Sequence, residues 1–156
     1  MIYPTITGVM DPVMPVFADA VATLHTRTMD VKAGYKTMVE KAEPDFRHVP
    51  EAFLALHQKQ ADALTRMLVD LGRSPDADGS FMGTVNQAVV SLRAVFDKID
   101  EDVIGSIQSG EDHVLNAFEK ALAIESPAPA AAELMEMRDA LQRLLTQTAA
   151  QAGPRT

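Results

Sequence analysis

The stretch S-G-E-D-H-V-L, residues 109–115, places two carboxylates and an imidazole next to one another. These groups are ligands for divalent metals and also serve as proton donors and acceptors in catalysis. The stretch lies in a pattern of helical period, in which successive residues are about 100° apart. Glu111 then lies on the same stripe as Ile107 and Val114, whereas His113 is about 200° away and faces solvent. The spacing therefore predicts a single inward carboxylate and not a compact ligand cluster.

Other polar residues share this inward phase on neighbouring helical segments. His57 and Gln60 lie near the centre of the apolar stripe of one segment, and Thr28 and Tyr35 lie on the inner face of another. Three acidic residues of that latter segment fall away from its inner face: Asp30, Glu40 and Glu43. The buried polar set, which is also the possible ligand site, is predicted to comprise Thr28, Tyr35, His57, Gln60 and Glu111.

Helices must position these side chains, because apolar residues recur at intervals of three and four between clusters of glycine and proline. The pattern predicts an all-α fold. Its five segments run from about Val16 to Lys41, from Pro50 to Leu71, from the Ser80–Thr84 region to Ile99, from Asp100 to Ile124, and from Ala130 to Ala150. The third segment is apolar on its inner face and offers no inward polar group.

Amphipathic helices joined by short loops share one core most economically as an antiparallel four-helix bundle. We expect an N-terminal arm over residues 1–15, the bundle over 16–125, a linker and additional C-terminal helix over 126–150, and a tail over 151–156. The arm and the last helix carry apolar surface beyond what four helices require, and could cap the bundle or pair with a second subunit. A homodimer is therefore predicted.

The composition narrows the classes of function. The 156 residues include 22 acidic and 14 basic ones, for a net charge of −8, which is the wrong sign for binding nucleic acid. The chain has no cysteine, so thiol catalysis and thiolate metal sites are excluded, and a reducing compartment such as the cytoplasm is predicted. No uncharged run approaches the roughly 20 residues that span a bilayer, so we expect no membrane association.

Three runs of the sequence carry a family resemblance: LHTRTMDVKAGYKTMVEKAEPDF, LHQKQADALTRMLVDLGRSPDADGSFMGTVNQAV and SGEDHVLNAFEKAL. The features that carry the resemblance are the spacing from Asp30 to Gly34 and Tyr35, the LG and GS pairs around the second loop, and the GED of residues 110–112. Together they resemble a bacterial ferritin-like four-helix-bundle family catalogued as a domain of unknown function. The resemblance implies an up-down ferritin-like bundle and brings no established activity with it.

A ferritin-type metal pair needs a glutamate from each of two helices and Glu-x-x-His from each of the other two. No Glu-x-x-His occurs in the chain. Glu111 can instead accept hydrogen bonds in a buried network, from His57, Tyr35 or an arginine such as Arg27 or Arg93, since a lone buried carboxylate is costly. Two alternatives stay open: Glu111 and His57 hold iron or another divalent metal, or Glu111 is exposed.

These observations predict a non-enzymatic interaction or scaffold protein with a buried polar network around Glu111 and no cofactor. The inward-facing side chains do not form a set of catalytic residues. The alternative is a metal-binding or oxidative-stress protein that keeps a degenerate ferritin-type site at Glu111 and His57. A third hypothesis, a carrier of small hydrophobic molecules, has no specific residue in its favour.

Overall fold

The computed structural model describes residues 13–75 and 100–152, which are built almost entirely of helices. The elements are α1 (Val13–Lys41), α2 (His48–Asp70), a short 3₁₀ helix (Glu101–Val103), α3 (Ile104–Leu122) and α4 (Ala128–Ala152). The prediction of an all-helical bundle is confirmed for this part of the chain. The predicted third segment lies outside the described residues, as do most of the expected N-terminal arm and the tail.

Prolines explain where three of the helices begin. Pro15 and Pro50 are each the third residue of a helix, α1 and α2, and Pro129 is the second residue of α4. The N–H groups of a first turn have no acceptor within the helix, so a proline there costs little. Each of these helices starts two or three residues before the predicted boundary for this reason.

The four helices share one hydrophobic core. Helix α1 packs against α2 and α3, and α4 packs against α3 and, less extensively, against α2. The large side chains without exposed surface come from all four helices: Phe17 and Leu24, Phe53 and Leu64, Phe118, Leu134 and Leu141. Complete burial of a side chain of this size contributes about 1.5–3 kcal/mol to stability.

The C-terminal helix α4 is part of this core. Its buried residues Leu134, Met137 and Leu141 follow one another at intervals of three and four, and therefore lie on one face of the helix. That face packs against α3 and α2 of the same chain.

Among the described residues, no helix combines the length and the hydropathy that crossing a membrane requires.

The turn after α2 depends on glycine. Gly72 has φ of +80° and donates its N–H to Val69 O at 2.9 Å, while Arg73 N donates to Leu68 O at 2.8 Å. This pair of bonds closes the helix in a Schellman arrangement, in which the residue with positive φ is favoured to be glycine. Gly34 differs, because it lies within α1 and a Cβ at this position would meet no atom within 4 Å.

The two glycines should respond in opposite ways to alanine. Gly34→Ala is expected to raise the free energy of unfolding by about 0.5–1 kcal/mol, because alanine restricts the unfolded chain and fits the helix. Gly72→Ala is expected to lower it by about 1–2 kcal/mol, because of the positive φ. Urea denaturation followed by circular dichroism measures both, and a destabilised Gly34→Ala variant would contradict the open space seen beside Gly34.

Candidate functional site

Three polar side chains from three helices meet inside the bundle. Tyr35 of α1 donates its hydroxyl hydrogen to Glu111 Oε2 of α3 at 2.9 Å, and His57 Nε2 of α2 lies 2.6 Å from the same oxygen. Glu111 and His57 have no exposed surface, and Tyr35 is 3 % exposed. We call these three residues the Tyr-Glu-His cluster.

Helical phase brings the cluster together. Glu111 is four residues after Ile107 and three before Val114, and both of these neighbours are buried. His57 follows the buried Phe53 by four residues on α2 in the same way. The carboxylate and the imidazole therefore point towards the core because the apolar stripes of their helices do.

The chemistry of the donors assigns the protons of the cluster. A carboxylate oxygen accepts hydrogen bonds from hydroxyl and ring N–H groups, so the geometry fits Glu111 Oε2 accepting one from the Tyr35 hydroxyl and one from the Nε2–H tautomer of His57. Burial raises the pKa of Tyr35 well above its usual value of 10.0, and the adjacent Glu111 raises it further, so this hydroxyl remains a donor at neutral pH. Two hydrogen bonds, one of them short, thus converge on Glu111 Oε2.

Aromatic stacking fixes the orientation of the donors. The Tyr35 ring is nearly parallel to the Phe53 ring, with centroids 5.0 Å apart and an interplanar angle of 10°. It is also nearly parallel to the His57 ring, at 5.7 Å and 11°. Pairs at such separations contribute about 0.5–1.5 kcal/mol beyond the burial of their area. The stacking restricts rotation of both rings while their polar atoms face Glu111.

Two polar atoms of the cluster have no hydrogen-bond partner among the described residues: Glu111 Oε1 and His57 Nδ1. Free lone pairs on a carboxylate and an imidazole are suitable ligands for a metal ion. The described part of the chain, however, contains no group of three or more His, Cys, Asp or Glu placed to hold one. The donor set is therefore a carboxylate and an imidazole bonded to each other.

The remaining two residues of the predicted polar set are buried but bond elsewhere. Gln60 Nε2 donates to the Met137 carbonyl at 2.9 Å and so links α2 to α4. Thr28 Oγ1 donates to the Leu24 carbonyl of its own helix at 2.9 Å. Asp112 and His113, which follow Glu111, are exposed. Of the arginines considered as partners for Glu111, Arg27 is exposed and Arg93 lies outside the described residues.

Asp30 is buried, although helical phase predicted it to face away from the core. It is only 9 % exposed, and its Oδ1 accepts no hydrogen bond from the residues that the structure describes. Burial, opposed in part by nearby Arg27, raises the pKa of Asp30 to about 6. The sequence contained one indication of this position. Gly34 lies four residues after Asp30 on the same side of the helix, and both residues border the same open space.

His25 is a buried polar residue that its spacing did not single out. It lies in the middle of α1, with Nε2 3.1 Å from Thr65 Oγ1 of α2. Thr65 donates its own hydrogen to the Ala61 carbonyl, so His25 is the donor in this pair. Burial, together with the charge of Lys32, lowers the pKa of His25. This bond links α1 directly to α2.

Comparison with known families gives one match. The model of a family described as a domain of unknown function, DUF2383, matches residues 17–124, which include all three residues of the Tyr-Glu-His cluster. Neither the curated proteins nor the solved structures contain a match to the chain.

The cluster should behave as one unit in a double-mutant cycle. His57→Leu leaves the buried carboxylate with Tyr35 as its donor and is expected to cost about 3–5 kcal/mol of unfolding free energy. The double variant His57→Leu/Glu111→Leu removes the charge as well, so we expect a coupling energy of about 2 kcal/mol or more from denaturant unfolding. Combining His57→Leu with Thr28→Val is the control and should be additive. Additive effects of His57→Leu and Glu111→Leu would contradict the assignment.

Asp30 should make stability depend on pH. Its pKa is raised from 3.8 to about 6 in the folded protein, so ionisation costs stability as pH rises between these values. Asp30→Asn is therefore expected to stabilise the protein by up to about 3 kcal/mol above pH 7 and to have little effect below pH 3.8. Thermal unfolding at both pH values measures the difference. Glu40→Gln, which removes an exposed charge from the same helix, is the matched control, and an equal gain in it would refute the prediction.

Proposed function

We propose that this chain, which belongs to the DUF2383 family, is a non-enzymatic interaction or scaffold protein built around the buried Tyr-Glu-His cluster. The observation that carries this proposal is that Glu111 Oε2 is bonded to both Tyr35 and His57 while Glu111 and His57 have no exposed surface. A reactive group must meet its substrate, whereas a group that fixes the packing of helices is best kept from water.

The proposed bundle is antiparallel and ferritin-like. In support, α1 and α2 are joined by residues 42–47 alone, and Arg73 just after α2 forms an ion pair of 2.9 Å with Asp19 near the start of α1. Arg73 also donates to the Pro15 carbonyl at 3.3 Å. These contacts at the two ends favour an up-down hairpin.

The residues of the cluster do not fit the metal pair that is typical of ferritin-like folds. Such a centre takes six ligands at one level of the core. The cluster offers Glu111 and His57, and the 2.6 Å contact between Oε2 and Nε2 commits one atom of each to the other. Replacing that bond with a metal would also leave the Tyr35 hydroxyl competing with the ion for Glu111. The donor set therefore favours the structural role over the metal-binding alternative.

A surface for self-association lies between α2 and α4. This α2–α4 groove has a volume of about 620 Å³ and is largely apolar, with a lining that includes Met14, Met67, Val69, Leu71, Pro127 and Pro129. Val69 is 58 % exposed although it is large and apolar. The lining also includes Arg66, Asp70 and Glu133, which supply both signs of charge. Two copies can therefore face each other there through a two-fold axis without uniform repulsion, and we assign the groove to a second copy of this chain.

Self-association can be tested by sedimentation velocity. The wild-type chain is expected to sediment as a dimer, and Val69→Lys as a monomer, because a lysine in the groove places unpaired charge in the interface. Ala55→Lys is the matched control, since Ala55 is exposed on a similar face of α2 about 21 Å away along the helix and should leave the dimer intact. A monomeric wild-type chain, or a dimer unaffected by Val69→Lys, would contradict the assignment.

A further inference from the structure

A cavity separate from the α2–α4 groove lies between α1 and α3, beside the Tyr-Glu-His cluster. Its volume is about 160 Å³, and its walls are largely apolar, with Val31 and Met38 from α1 and Ile107 from α3. Tyr35, Gly34 and Gly110 also border it. Because Tyr35 is shared, one side of this cavity is fixed by the hydrogen bond to Glu111.

The two glycines keep the cavity open. A Cβ at Gly34 or at Gly110 would meet no atom within 4 Å, so neither glycine is required by a close approach of the two helices. Glycine within a helix costs about 0.5–1 kcal/mol relative to alanine. Gly34 and Gly110 thus leave space where alanine would fit and stabilise the helix.

Asp30 gives the cavity a polar point. It lines the cavity, is 9 % exposed, and its buried Oδ1 has no hydrogen-bond partner in the part of the chain that the structure describes. An unpartnered oxygen of this kind is costly, and a donor from outside the protein would remove the cost. The raised pKa of Asp30, about 6, still leaves the group mainly ionised at neutral pH.

We propose that this cavity binds a small organic ammonium ion, with its N–H donating to Asp30 and its hydrocarbon part packed against Val31, Met38 and Ile107. A cavity of about 150 Å³ is large enough to hold benzene, so a hydrocarbon part of about four to six carbons fits. The net charge of −8 attracts cations to the protein as a whole. This site is separate from the proposed dimer surface and does not depend on it.

Titration with n-butylammonium tests the proposal on the full chain. In ¹H–¹⁵N NMR spectra, the amides of Gly34 and Gly110 should shift in a saturable manner, while that of Gly72, at the end of α2, stays unchanged. The neutral isostere 1-butanol should bind at least tenfold more weakly, because it lacks the charge that Asp30 recognises. Equal binding of the two probes, or no saturable shift at Gly34 and Gly110, would overturn the proposal.

Three variants locate the site. Asp30→Asn keeps the shape of the side chain and should weaken butylammonium binding at least tenfold. Gly34→Leu should abolish binding by filling the cavity while Asp30 remains. Gly105→Leu is the control, because Gly105 also has open space around it but does not line the cavity, and it should bind as the wild type does. Unchanged affinity in Asp30→Asn or in a folded Gly34→Leu would refute the assignment.

Discussion

The hydrogen bonds to Glu111 are the constraint on which the bundle depends. A buried carboxylate must be paired, and Oε2 of Glu111 finds both of its partners, Tyr35 and His57, on other helices. Apolar stripes can slide past one another at modest cost, but a polar contact of 2.6–2.9 Å is made in one arrangement. The cluster thus sets how α1, α2 and α3 sit together, and the aromatic stack and the core build on that arrangement.

Much of this arrangement follows from the sequence, because helical phase depends on spacing alone. The all-helical fold, the inward position of Glu111 and His57, and the outward position of His113 could all be predicted. The choice of partner could not, since His57, Tyr35 and an arginine were equally available to Glu111 until the heights of the helices were known. The position of α4 in the core was likewise left open, because an apolar stripe does not say which surface will cover it.

The wrong prediction for Asp30 and the unforeseen burial of His25 have one physical cause. Phase arguments assume a single inner stripe, but α1 packs against both α2 and α3, so its buried arc is wider than one stripe. His25 lies on the side that meets Thr65 of α2, and Asp30 lines the cavity shared with α3. Both are polar residues at the margins of the stripe, where burial depends on the neighbours and not on the helix itself.

The Tyr-Glu-His cluster and Asp30 differ in their hydrogen bonding. In the cluster, Glu111 Oε2 is bonded to Tyr35 and His57, although Glu111 Oε1 and His57 Nδ1 have no partner among the described residues. Asp30 Oδ1 has no partner among them either, and Asp30 borders a cavity with two glycines, so its burial weakens the fold. Proteins commonly keep such local costs where a function requires them. The stability contributed by the Tyr-Glu-His cluster can therefore offset the cost of burying Asp30.

The tautomer of His57, measured by ¹⁵N NMR of its ring nitrogens, shows whether Glu111 and His57 are bonded to each other. We expect a proton on Nε2 and none on Nδ1, an NMR signal that places the Nε2 proton in contact with Tyr35, and no change when Zn²⁺ is added. An unprotonated Nε2 whose resonance moves on addition of Zn²⁺ would show that Glu111 and His57 hold a metal and not each other.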